Sequence, residues 1–441
     1  YLLHQSKAYR AELEAFLHAA ALANHNNNSS NGQATHSARY PDLAALRVLE
    51  TGKALWHLFE IAHLDPHANI TAQYLDWLQR TAEPPAYLNT FIASATGSSN
   101  GGSSGVHSAA YWAAVGRLLA CGRVVDAVRL LAANDVLETQ APGARELLVT
   151  LVLTCPTFAG NAAIAELASS LNVSLPSLNA NANVDNDDDD DGEDGENSNG
   201  YSSASGVSGS ASVDALQQQF LLWQRDVASA RASAVFAALP ETAPLLELLA
   251  GEAPALAAAS ESWTELLGAT LAFKEPWASR DAVTWLADKA CHSKNVTISP
   301  NASASAKNPN ASAASVFDCA LFAILSTDAL LSLQAVHGAV RLPFLSAHLA
   351  DLLAHTAQTT LPTTVALASA AVAATGAPAL ARLALETACD PAAPLDLREW
   401  YLVAFADTYA GTPLWPLAVT YYEHCLSQGR ARIAVLVART A

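Results

Sequence analysis

The sequence predicts an all-α protein, an irregular α-solenoid, and three observations predict it. Apolar residues recur at the 3.6-residue helical period along most of the 441 residues. Hydrophobic residues make up 51% and charged residues 15%, and alanine, the best helix former, leads the apolar share. No stretch shows the strict apolar–polar alternation of a half-buried strand. Roughly eighteen helical segments with short turns, broken by four polar inserts, fit helices that stack on their neighbours.

Residues 1–23 read as a helix with Leu2/Leu3, Tyr9, Leu13, Phe16/Leu17 and Ala20/Ala21 on one face. A polar linker fills 24–41, and Pro41 opens a helix striped with Leu43, Leu46, Leu49, Leu55/Trp56 and Leu58/Phe59. A short helix over 70–82 carries Tyr74, Trp77 and Leu78, and 83–108 is a Pro- and Gly/Ser-rich loop. Next, Tyr111/Trp112, Val115 and Leu118/Leu119 make one helical face, Gly122-Arg123 the turn, and Val124/Val125, Val128 and Leu131 the following face. Residues 144–153 and 157–171 add two helices. The insert 173–212 is too polar to bury a core and is expected to be disordered. Helices follow over 213–239, 242–250, 260–273 and 280–290, then a Ser/Asn/Ala linker over 292–315. From 316 the chain is nearly continuous helix: 316–325, 328–337, 343–355, 363–375 and 378–388.

The closing stretch, 395–440, reads as two helices and the start of a third. Asp396 is a good N-cap with Glu399 three residues later, as in a capping box. Leu397, Trp400/Tyr401, Ala404/Phe405 and Tyr409 form the first stripe, and Gly411 ends the helix. Thr412 is expected to cap the second helix with Pro413 in its first turn. Gly429 closes that helix and Arg430 opens the last run. The unit repeats the plan of 109–132: an aromatic pair, a Cys, a Gly-Arg turn and an aliphatic helix. No fixed period links the two, so the array is irregular.

The formal net charge of −18 argues against direct nucleic-acid binding, which needs clustered Lys and Arg. Nine carboxylates lie in 185–196, and without them the balance is still −9. Six cysteines, none in a CxxC pair, read as reduced thiols in a nucleocytoplasmic protein. The most membrane-like run, 365–380, is shorter than the ~20 residues a bilayer requires and is broken by Gly376 and Pro378, so no transmembrane segment is expected. The chain begins at Tyr1 and has no methionine, and it is expected to be a fragment of a longer protein.

Signals for chemistry are weak. Asp187, Asp189, Asp191 and Gly192 match the start of a calcium loop, but Ser198 stands where the bidentate Glu belongs. His348, Asp351 and His355 share a helical face and are the only candidate for an all-α enzyme site, yet the two histidines sit two turns apart, about 10 Å. No nucleophile elbow, dinucleotide fingerprint or phosphate loop occurs. No catalytic residue, cofactor or metal is therefore expected, and the protein is read as a non-enzyme.

The residues of the closing unit carry a specific resemblance. Arg398, Glu399, Tyr401 and Leu402, then Leu414, Trp415, Ala418, Val419, Tyr421 and Cys425, then Gly429 and Arg430, are similar to the motif of the nucleoporin-85 family of nuclear-pore scaffold proteins. The Tyr111–Trp112…Gly122–Arg123 unit resembles the family's earlier helices, and 263–267 and 348–353 are weaker matches in family order. The resemblance implies the ancestral coatomer element: an α-solenoid that rises as a trunk, turns through a crown and folds back on itself. It places the outgoing trunk at 42–172, the crown at 213–340 and the returning trunk at 343–441. It implies a scaffold role in the Y-shaped complex of the nuclear pore, in the nuclear envelope, supporting mRNA and protein transport. Its implied partners are other Y-complex nucleoporins: a Seh-type β-propeller, bound through a segment N-terminal to this chain, and helical hub nucleoporins, reached through a C-terminal tail. Tyr111, Trp112, Gly122, Arg123, Trp400, Tyr401, Trp415, Tyr421, Gly429 and Arg430 are the family-signature packing residues, and the four aromatic ones of the closing unit are expected to face the outgoing helices. Another coat-type scaffold, of a different Y-complex arm or a vesicle coat, remains the alternative.

Overall fold

The fold in this computed structural model is all-α, with twenty α-helices among the described residues. Those residues are 2–29, 43–65, 69–82, 109–159, 161–175, 213–297, 312–313, 315–326, 329–340, 342–355 and 397–440. The acidic run, the membrane-like run, the expected helices over 363–375 and 378–388, and Asp396 lie outside them. Within the described set no helix is long and apolar enough to cross a membrane.

Two compact units divide the chain: residues 1–83, 260–268 and 278–441 form the first, and 84–259 with 269–277 the second.

In the first unit, α1 spans Leu2–Ser29, α2 Leu43–Phe59 and α3 Ile70–Thr81. Helix α1 runs six residues past the expected end at 23, through an Asn-rich stretch of poor propensity. Once a helix is nucleated, each added residue gains a hydrogen bond, so it can outlast its apolar stripe. A π-helical turn, Glu60–Leu64, continues α2. The guanidinium of Arg280 closes its end by donating to the carbonyls of Ile61, Ala62 and Asp65. His63 Nε2 bonds the hydroxyl of Ser332 at 3.0 Å, and that hydroxyl donates to the Ala323 carbonyl. Residues more than 200 apart in sequence thereby lock the irregular turn in place.

The same unit contains the later helices. Arg280–Ser293, here α14, extends beyond the expected start of the linker at 292, and its Trp285 is 59% exposed rather than packed. Val296–Thr297 pairs in parallel with Ser312–Ala313, two residues a side, a pairing too short for sequence alternation to reveal. Helices α15 (Val316–Leu325), α16 (Ala329–Val340) and α17 (Pro343–His355) follow. A full capping box starts α15: Ser315 Oγ accepts from Asp318 N, and the Asp318 carboxylate accepts from Ser315 N. That carboxylate also accepts from Trp263 Nε1 at 2.9 Å. The decisive contact is long-range: α2 packs against α15, α16 and α17. Gly52 permits the approach, because a Cβ there would lie 3.2 Å from Leu342 Cδ1.

The second unit contains α4 (Ala109–Ala120), α5 (Val124–Ala132), α6 (Asp135–Gln140), α7 (Ala144–Leu153), α8 (Ala162–Ser170), α9 (Val213–Arg231), α10 (Ala234–Ala237), α11 (Ala243–Leu249) and α12 (Ala253–Ala259). Helix α4 packs on α5, α11 and α12, and α7 on α5 and α9. Helix α13, Trp263–Phe273, gives its last residues to this unit. Thr157 Oγ1 donates to the Ala272 carbonyl at 2.7 Å and Gln224 Nε2 to that of Phe273 at 3.0 Å, satisfying orphan carbonyls at the end of α13.

Two glycines give opposite predictions. Gly251 has φ +73°, and a Cβ there would sit 2.5 Å from the Phe273 carbonyl oxygen. Gly251→Ala is expected to cost about 2 kcal/mol, from a left-handed backbone and a clash with main chain. Gly338 is exposed within α16 with nothing near its missing Cβ, so Gly338→Ala is expected to stabilise by about 0.5–1 kcal/mol. Chemical denaturation of both variants checks this; equal and same-signed shifts would refute it.

Candidate functional site

The most informative region is the closing unit: α18 (Leu397–Ala410), α19 (Trp415–Glu423) and α20 (Gly429–Thr440), with α17 against α18. Two expected caps are corrected here. Leu414, not Thr412, is the N-cap of α19, and Pro416 rather than Pro413 occupies its first turn. Thr412 instead closes a turn: its hydroxyl accepts from Leu414 N at 3.2 Å and its carbonyl from Trp415 N at 3.1 Å. A second proline three residues later made the helix start ambiguous in sequence.

Glu399 reaches a helix other than its own. Its carboxylate is only 4% exposed. One oxygen accepts from Ser427 N and Gln428 N, both at 2.9 Å, and from Ser427 Oγ at 2.7 Å. Those amides lie just before α20, so Glu399 supplies a buried anion at the positive end of that helix. The neighbouring Arg398 bonds Asp351 of α17 at 2.6 Å and the His424 carbonyl at 3.2 Å. The Arg-Glu pair thus ties α18 to α17 on one side and to the 424–428 loop on the other. Gly429 completes the joint: a Cβ at this position would stand 1.9 Å from the Tyr422 carbonyl oxygen.

The signature aromatics lie as follows. Tyr401 is 1% exposed, its hydroxyl has no partner among the described residues, and burial pushes its pKa well up. Trp400 is half-buried, edge-on to Tyr401 at 4.7 Å and to His337 at 5.9 Å. Trp415 is half-buried against the cluster of Ala406, Ala418, Tyr422 and Leu436. Tyr421, also half-buried, lies edge-on to Phe405 at 4.8 Å, and its hydroxyl is 3.3 Å from His348 Nε2. Arg430 is exposed. In the second unit, Tyr111 and Trp112 are buried edge-on at 5.2 Å, and Tyr111 OH donates to the Leu130 carbonyl at 2.9 Å. Gly122, at φ +73°, ends α4 in a Schellman motif: Gly122 N bonds Leu119 O and Arg123 N bonds Leu118 O. Arg123 then pairs with Asp126 in the first turn of α5.

His348, Asp351 and His355 do not converge on a shared point. His348 is half-buried among the rings of Tyr9, Trp56, Phe344, Phe405 and Tyr421, at 4.6–6.4 Å between centroids. Asp351 is paired with Arg398, and His355 is exposed with Nδ1 on the Asp351 carbonyl. Among the described residues no group of three His, Cys, Asp or Glu could hold a metal. The five described cysteines are free thiols, and burial pushes Cys155 and Cys291 up to about 12.

This geometry is that of a joint between helices, with most motif residues engaged in packing, capping or pairing and with Leu414 and Arg430 exposed. The family model described as Nup85 Nucleoporin matches residues 1–441, the whole chain. The chain belongs to the Nup85 nucleoporin family. No curated protein matches it. As a member of that family this nucleoporin is a scaffold component of the nuclear pore complex in the nuclear envelope, and it interacts with other pore nucleoporins. The family is a structural one, with no known enzymatic activity.

Three partly buried histidines of the first unit also set how this nucleoporin responds to acid. Burial holds His348 and His337 below the ordinary histidine range, and holds His57 down to about 3 with help from Arg10, Arg80, Lys7 and Lys53. A depressed folded-state pKa gives stability above the unfolded value, near 6.5, that is lost as pH falls below it. The first unit is therefore expected to weaken progressively below about pH 6.5. His348→Phe keeps an aromatic ring and removes one of these protons. Its denaturation midpoint should fall less steeply between pH 7.5 and 5.5 than that of the unsubstituted chain; parallel curves would rule His348 out.

Proposed function

We propose that this chain is a rigid arm of the Y-shaped scaffold complex, spacing and joining partners through shape and helix packing and so supporting mRNA and protein transport. The observation that carries this is the packing of α2 on α15, α16 and α17. Helices early in the chain seal against helices late in it, as an element that rises and returns requires. The ring cluster reinforces the seal, since Tyr9 and Trp56 come from the start of the chain and Phe344, His348, Phe405 and Tyr421 from its end.

In this reading 42–172 is the outgoing trunk, 213–340 the crown and 343–441 the returning trunk. Trp400, Tyr401, Trp415, Tyr421, Gly429 and Arg430, with Tyr111, Trp112, Gly122 and Arg123, are packing and turn residues rather than partner contacts. A Seh-type β-propeller is bound through sequence N-terminal to this chain, and hub helical nucleoporins through sequence C-terminal to it. Co-purification of the full-length protein with an open β-propeller and with helical hub nucleoporins tests the reading. Recovery of both supports it. A full-length protein that reaches the nuclear rim but captures neither partner would leave the family assignment intact and remove the Y-complex arm.

A further inference from the structure

Helix α1 is held to its unit in a way that sets it apart from α2. Among its described side chains only Ser6 and Leu17 are buried, whereas α2 buries Leu46, Leu55, Trp56, Leu58 and Phe59. Among the described side chains the attachment is mainly a polar latch and a ring stack. Trp56 Nε1 donates to Ser6 Oγ at 2.8 Å, Ser6 Oγ donates to Glu60 Oε1 at 2.5 Å, and Arg10 Nε donates to Glu60 Oε2 at 2.9 Å. Tyr9, on the same face, stacks on Trp56 at 5.4 Å and on Phe344 at 5.5 Å and lies 5.3 Å from His348. Further along, Leu17 meets Leu46.

The receiving surface has contacts of its own. Trp56 lies 6.1 Å from Phe344, and Phe344 4.6 Å from His348. Behind them Phe405 packs on Phe344 at 5.5 Å, and Tyr421 lies 5.9 Å from His348. Glu60 sits at one end of this face, fixed on the π-turn clamped by Arg280. A buried ion pair such as Arg10–Glu60 contributes little net attraction, because desolvation offsets it; what it supplies is register and choice of partner. The face therefore specifies a helix with a hydroxyl, an aromatic ring and a guanidinium at i, i+3 and i+4.

We propose that Trp56, Glu60, Phe344 and His348 form a helix-binding seat, filled in cis by α1, and that a second helix bearing the Ser-x-x-Tyr-Arg pattern can replace it. The tethered helix has a high effective concentration, so exchange shows only when its own grip is weakened. The test uses the whole chain carrying Ser6→Ala, Tyr9→Ala and Arg10→Ala, which loosens α1 and leaves the seat intact. A labelled peptide of residues 2–29 is expected to bind this chain saturably. Binding should weaken at least tenfold when the peptide carries Ser6→Ala and Arg10→Ala, and at least tenfold when Glu60→Ala is added to the chain. No binding, or binding indifferent to Glu60, overturns the proposal. Hydrogen exchange on the unsubstituted chain tests it without any variant. Amides of α1 should exchange at least tenfold faster than those of α2 and α17, and equal protection would mean that α1 opens only with the core.

Discussion

Glu399→Ala is expected to destabilise the first unit by about 3 kcal/mol, with the loss concentrated in the loop at 424–428 and in α20. The side chain is buried and accepts from two backbone amides and a hydroxyl. Removing it leaves those donors without their charged acceptor, and hydrogen bonds to a charged group are worth about 1.5–3 kcal/mol each. Glu399→Gln keeps one acceptor oxygen and should cost about half as much, near 1.5 kcal/mol. Denaturation midpoints rank the two variants, and hydrogen exchange places the loss. If Ala and Gln behave alike, or if amides of α20 keep their protection, the carboxylate is not the cap of that helix.

Gly429→Ala should be at least as costly, about 3 kcal/mol. The obstacle is main chain: the added Cβ would overlap the Tyr422 carbonyl oxygen at 1.9 Å, and no side-chain rotamer can relieve that. The start of α20 must shift, and Glu399 loses its alignment with the amides at 427 and 428. Because both substitutions act on one loop, the double variant should cost less than the sum of the singles. Gly411→Ala serves as the control, since nothing lies near that missing Cβ. Loss of thermal stability in Gly429→Ala comparable to that of the control would show that the close approach does not constrain the joint.

These two residues show how far the motif could be read. Glu399 stood out as a capping residue, and it caps α20; the box expected at the start of α18 involves Asp396, outside the described residues. Spacing within one helix is visible in sequence; a carboxylate reaching 28 residues onward is not. Gly429 was legible as a turn, whereas the reason for glycine, a carbonyl at the end of α19, depends on how two helices meet. Trp285 lies in a helix read from sequence over 280–290 and is exposed, since periodicity finds a helix without saying what covers each face.

By itself the sequence determined the all-α class, most helix positions, the Gly122 and Gly429 turns and the family motif. All of these rest on local physics: side chains three and four residues apart share a face, and glycine and proline mark its limits. Only the tertiary structure decided which faces meet. It set α2 against α15–α17, gathered Tyr9, Trp56, Phe344, His348, Phe405 and Tyr421 into one cluster, and gave Glu60 and Glu399 partners from distant segments. Apolar burial has no preferred direction, so a stripe of leucines accepts many neighbours. The polar groups buried with it are selective, because each needs its own partner.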